Sequence, residues 1–184
     1  ASLQHAANIY TTIFRGLPEL LTLFIIFYGL PLVLRQLQGL FFDDPKIEIN
    51  TFVAGMIALG VVFSSYASEV FLSAFRGIPQ GQYEAGSALG LRRFSTMRLI
   101  IIPQLIRLAL PGLSNLWLVL LKDTALVSVI GLSDILRQTQ IAARVTKEPF
   151  LFFGTACLIY LVFSIISSIG LSSIERWTRK GEIR

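Results

Sequence analysis

Charge is scarce in this chain. Asp, Glu, Lys and Arg make up 15% of its 184 residues, and apolar residues make up 54%. A soluble domain carries about 25% charged residues, so the composition argues against a free-standing soluble fold. Cysteine occurs once, at Cys157 inside an apolar run, which excludes an internal disulfide. Histidine also occurs once, at His5. A single buried or lipid-facing thiol and a solvated imidazole offer no His- or Cys-based metal centre or nucleophile–base set. That argues against an intramembrane enzyme. No G-x-x-x-x-G-K-[ST] phosphate loop is present, so any nucleotide must bind elsewhere. No basic stripe with interleaved aromatics accompanies the net charge of +5, and nucleic acid is not an expected partner. There is no low-complexity tract and no convincing internal repeat. The chain starts Ala-Ser-Leu-Gln, without Met or a secretory signal pattern, so an earlier segment is expected to be missing.

What is present is a set of long apolar blocks, each of the roughly 20 residues that cross a bilayer. Four spans are expected, at about 17–34, 51–75, 99–121 and 149–174. In lipid every backbone polar group needs an internal partner, so these must be helices. The expectation is an all-α, polytopic membrane bundle forming one domain over 1–184, with the lipid bilayer as its surroundings. Pro18 suits the first turn of the first span. The polar segment 123–148 holds one short apolar piece, Ala125 to Leu132. It reads either as an element packed against protein within the membrane or as a surface helix.

Basic residues orient the spans. Arg15, Arg76, Arg92, Arg93, Arg98, Arg176, Arg179, Lys180 and Arg184 would lie on the side of the 76–98 loop. Arg35, Lys46, Arg137, Arg144 and Lys147 would lie on the other side. The excess places the loop and both chain ends in the cytoplasm by the positive-inside tendency, although counting alone leaves the opposite topology open.

The 76–98 loop is the most distinctive stretch. Glu84-Ala85-Gly86-Ser87-Ala88-Leu89-Gly90 reads as a short helix of small residues ending at a glycine. Small residues let a partner approach closely. By chemistry alone it is either a docking element or an ordinary surface helix.

The loop resembles the EAA motif of bacterial ABC-transporter permeases. Glu84, Ala85, Gly90, Ile100 and Pro103 match in type and spacing, with Gly86 in place of the second Ala and Ile102 in place of Leu. Glycine at 86 is expected to loosen the helix by up to about 1 kcal/mol relative to Ala. Tyr10 to Glu19, Phe27-Tyr28-Gly29 and Leu121 to Ser128 are also similar to the polar amino acid permeases, above all the histidine/lysine-arginine-ornithine and opine branches. The resemblance implies a type I ABC importer permease fold. That family has five spans, so its first helix is expected to be absent from this chain.

The resemblance also implies a mechanism and partners. A second permease subunit, identical or homologous, would complete the pathway. A cytoplasmic ABC ATPase dimer would bind ATP and Mg, and this chain would bind no cofactor and catalyse no reaction itself. A periplasmic solute-binding protein would deliver the solute to a bacterial inner-membrane complex. Glu84, Ala85, Gly86, Ala88, Gly90 and Pro103 would couple the chain to the ATPase.

Charges within spans are the candidates for the solute pathway. Glu69 lies in the second span, where an acid is functional by default unless it serves a structural ion pair, for instance with Arg76. Glu19 opens the first span, where a helix dipole also favours an acid. Lys122 and Asp123 sit at the outer end of the third span, where Thr124 could begin the next short element, and they read either as anchors at the membrane surface or as solute contacts. Arg107 can snorkel or pair with an acid, and Trp117 and Trp177 read as packing or interfacial anchors. Carboxylates at Glu69 and Asp123 favour a cationic solute, such as a basic amino acid or an opine. The competing reading is an ATP-independent secondary transporter or channel subunit, which would have no need of a docking loop. An assembly protein without transport is a further alternative.

Overall fold

The computed structural model describes residues 2–39 and 50–179. Lys46, Lys180 and Arg184, which enter the charge count, lie outside the described residues, as does the Arg179 side chain. Helices are α1 (Ser2–Gly16), α2 (Glu19–Phe24), α3 (Leu30–Gly39), α4 (Thr51–Arg76), α5 (Gln80–Ala88), α6 (Arg93–Thr96), α7 (Ile102–Asp123), α8 (Ile135–Thr146) and α9 (Pro149–Arg179). A π-helical turn, Ile25–Gly29, joins α2 to α3, and another, Met97–Ile101, joins α6 to α7. A 3-10 segment, Thr124–Ile130, follows α7. No strand occurs among the described residues.

Four helical segments are long and apolar enough to cross a membrane: Glu19–Leu37, Thr51–Arg76, Arg93–Ile130 and Pro149–Thr178. The third starts earlier and ends later than its apolar core at 99–121. Arg92, Arg93 and Arg98 mask its beginning in the sequence, although long basic side chains are well tolerated where a helix enters the interface. Pro111 sits inside α7.

Contacts divide the chain into two compact units, residues 1–65 with 119–164 and residues 66–118 with 165–184. In the first unit, Leu23, Ala58, Leu59, Val127 and Ile130 form the core, with Leu20, Phe24 and Leu132 packed against it. The short apolar piece after α7 is therefore packed against protein. Gly55 makes this possible: a Cβ there would stand 3.0 Å from Val127 Cγ1. The Tyr10 hydroxyl ties α1 to α4 by donating to Val61 O at 2.7 Å. Asp134 caps α8 by accepting from the Arg137 N–H at 2.7 Å, which satisfies one of the orphan donors of a helix start.

In the second unit, Ala74, Ile78, Ile101, Leu105 and Ala109 form the core, with Val70, Tyr83, Ile100 and Leu113 against it. Small residues allow the helices to approach. A Cβ on Gly112 would stand 2.7 Å from Val70 Cγ1, closer than real contacts allow.

Candidate functional site

The candidate coupling helix is α5. Pro79 stands at its N-cap in an extended conformation (φ −60°, ψ 140°), where a residue without an N–H sacrifices no helical bond. At the other end Gly90 takes φ +73°. Its N–H donates to Ser87 O, and the Leu91 N–H donates to Gly86 O, both at 3.0 Å. This is a Schellman closure, with glycine where a left-handed residue is required.

Three contacts hold α5 to the segment that follows. Tyr83 packs on the second unit's core. Gln104 Nε2 donates to Gln82 Oε1 at 3.1 Å. Gly86 is buried, and a Cβ there would stand 2.5 Å from Thr96 Cγ2 and 2.7 Å from Thr96 Oγ1. Glycine at 86 thus weakens the helix locally and permits the close approach that docks it. The opposite side of α5 is open, with Glu84, Ala85, Ala88 and Gly90 all exposed. Pro103 is exposed in the first turn of α7.

Two large apolar side chains flank this open surface. Leu89 is 76% exposed and Phe94 is 75% exposed. Neither is a member of the motif, although a Leu and a Phe bracketing Arg92-Arg93 outside an apolar block are a visible signal. Thr96, Gln82 and Gln104 are not members either. Their roles are tertiary, and nothing in local spacing announces them.

The candidate solute residues fall into two places. In the second unit, Glu69 is half-buried and lines a cavity of about 610 Å³ with Val70, Ser73, Ala74, Gly77, Leu108 and Gly112. In the first unit, Glu19 and Asp123 come within electrostatic reach of one another, with Lys122 alongside. Both acids are half-buried. Thr124 is exposed, and its hydroxyl donates to Leu121 O at 2.7 Å. Two residues 104 positions apart in sequence thus feel each other's charge across the fold. Among the described residues no group of three or more His, Cys, Asp and Glu side chains is placed to hold a metal ion.

The family model described as "Binding-protein-dependent transport system inner membrane component" matches residues 1–180. The chain belongs to that family. The nopaline transport system permease protein NocQ of Agrobacterium fabrum is 41% identical over 181 residues, which cover 98% of this chain and 77% of that protein. The histidine/lysine/arginine/ornithine transport system permease protein HisQ of Salmonella typhimurium is 44% identical over 167 residues, 91% of this chain and 73% of that one. A crystal structure of an amino acid ABC transporter with histidines superposes with a TM-score of 0.79 at 35% identity, covering 95% of this chain and 76% of that chain. This inner-membrane component therefore has the ABC importer permease fold and belongs with the polar amino acid and opine permeases. It is a multi-pass membrane protein of a transport complex.

Proposed function

We propose that this chain is the membrane subunit of an ATP-driven importer that carries a basic amino acid or an opine across the bacterial inner membrane. The observation that carries the coupling role is α5, fixed on one side by Tyr83, Gln82 and Gly86 and open on the other at Glu84, Ala85 and Ala88. An element anchored in this way transmits a push on its open side to the helix behind it. Leu89 and Phe94 supply the apolar anchors that a protein partner desolvates. The partner that fits is a cytoplasmic ATPase, which would hold ATP and Mg. ATP-driven closure of that partner would shift the membrane subunits between inward- and outward-facing states. On this reading α5 and both chain ends face the cytoplasm. A second permease subunit completes the pathway, and a periplasmic binding protein delivers the solute.

The solute class follows from Glu19 and Asp123, whose shared locus favours a positive charge, and from relatives named for histidine, lysine, arginine, ornithine and nopaline transport. Glu69 and Thr124 are secondary candidates for solute contact. The test is uptake into vesicles holding the full assembly. Labelled arginine, histidine or nopaline should accumulate only with ATP inside the compartment of the ATPase. Asp123→Asn should raise the KM for the cationic solute about tenfold, the scale of one lost charge-assisted hydrogen bond. Uptake that persists without ATP would establish the secondary-transporter reading instead. Competition by neutral or acidic amino acids alone would overturn the cationic assignment.

A further inference from the structure

In the second unit, α7 carries an open row of residues four apart: Pro103, Arg107, Pro111 and Asn115, all exposed. Residues at that spacing share one face of a helix. The row belongs to Arg93–Ile130, a segment long and apolar enough to cross a membrane. The apolar core of that span runs from Leu99 to Leu121. At 1.5 Å per residue, Arg107 sits about 12 Å from its nearer end and Asn115 about 9 Å. An arginine can snorkel along its aliphatic stem, but an asparagine amide has no such stem.

The polarity of this face goes beyond two side chains. Pro111 has no N–H to return to the Arg107 carbonyl four residues back. The neighbours of Arg107 one turn away, Pro103 and Pro111, offer its guanidinium no acceptor side chain. Neither Arg107 nor Asn115 has a side-chain hydrogen bond or ion pair among the described residues. Such groups are costly in hydrocarbon and face water or other protein. On α9 the contrast is plain, where the exposed Ile165, Ile166 and Ile169 suit lipid tails. Two observations favour water over a packed partner for the α7 row. A dry interface would have to supply both a carboxylate for Arg107 and a donor for its carbonyl. The cavity that holds Glu69 is walled by Leu108 and Gly112, the residues next to Arg107 and Pro111, so the row borders an open and partly polar space.

We propose, on the reading of this chain as a transport subunit, that the row walls the water-filled path of the solute and that Arg107 there meets the solute's carboxylate. Amino acids and opines carry a carboxylate beside their cationic groups. A guanidinium binds a carboxylate through a bidentate fork. It repels the cationic groups, so the carboxylate is the end it can hold.

The test uses the assembled transporter in membrane vesicles, with Cys157→Ser as background because Cys157 is the one native thiol of this chain. Pro111→Cys, Asn115→Cys and Ile166→Cys are each treated with an anionic and a cationic water-soluble methanethiosulfonate, and labelling of this chain is followed by mass spectrometry. The two α7 positions should react at least about tenfold faster than Ile166→Cys, since a charged reagent does not enter hydrocarbon. At Pro111→Cys the anionic reagent should be favoured, and Arg107→Gln should lower the anionic-to-cationic ratio about tenfold. Arg107→Lys keeps the charge and should restore that ratio, which separates a lost charge from a misfolded chain. An Asn115→Cys as unreactive as Ile166→Cys overturns the proposal, whether lipid or a packed partner covers it. A ratio indifferent to Arg107 overturns the carboxylate assignment. Labelling needs neither ATP nor solute, so ATP-independent uptake would sink the importer reading and leave the labelling pattern unchanged.

Discussion

Gly90 and Gly131 end their helical segments with the same backbone device in opposite surroundings. Gly90 closes α5 at φ +73°, and Gly131 closes the 3-10 segment at φ +92°. At Gly131, as at Gly90, the glycine N–H reaches back three residues and the next N–H reaches back five, from Gly131 to Ser128 O and from Leu132 to Val127 O. The residue before Gly90 is Leu89, 76% exposed, whereas the residue before Gly131 is Ile130, 7% exposed. Leu132 then packs onto the first unit's core. One turn presents a surface, and the other fixes a wedge inside a core. Identical local geometry therefore carries different duties, which burial alone distinguishes.

The largest effect is expected where the outward-facing turn is anchored. Gly86→Ala forces a Cβ into Thr96, an overpacking of about 1–3 kcal/mol concentrated where α5 docks. ATP-dependent uptake should fall at least about tenfold, and adding Thr96→Ala should recover most of it. A single variant with unchanged uptake would show that the contact is dispensable. Next come the two glycine closures themselves. An added Cβ meets nothing within 4 Å at either site, so the cost of alanine is left-handed strain, about 1–2 kcal/mol. Gly131→Ala should lower the thermal midpoint because its turn is tied into a core. Gly90→Ala should leave the midpoint nearly unchanged, since an exposed last turn frays locally, and should reduce solute-stimulated ATP hydrolysis. Equal midpoint shifts for the two variants would erase the distinction.

Smaller effects test the neighbours of the buried turn. Asp134→Ala removes the cap of α8 and should cost about 1 kcal/mol, with Asp134→Asn close to wild type in denaturant titration. Tyr10→Phe should cost only about 0.5–1 kcal/mol, because the Val61 carbonyl lies within a helix that supplies a second donor. A larger loss would mean that the Tyr10 hydroxyl does more than tie α1 to α4.

How far these features are legible in the sequence depends on the range of the interaction. The helix over α5, its stop at Gly90 and the family motif are all short-range patterns, and each is readable from residue order. The reason for glycine at 86 is not, because Thr96 lies ten residues away and meets it only through the fold. The segment after α7 shows the same limit. Its eight-residue stretch, Ala125 to Leu132, fits either a packed element or a surface helix, and what decides is Gly55, far upstream, which lets Val127 approach α4. The pairing of Glu19 with Asp123 is likewise a product of tertiary structure. Each residue alone is explained by its place at the end of a span.

The two π turns carry a further consequence. A π turn closes its hydrogen bonds over five residues instead of four, so it stores one residue more than an α-helix needs. Removing a residue elsewhere in a span would rotate everything beyond it by about 100° and turn a packed face toward lipid. Removing one within Ile25–Gly29 or Met97–Ile101 would instead relax the turn to ordinary helix and leave the faces on both sides aligned. These two turns are thus where the chain can change length without changing shape.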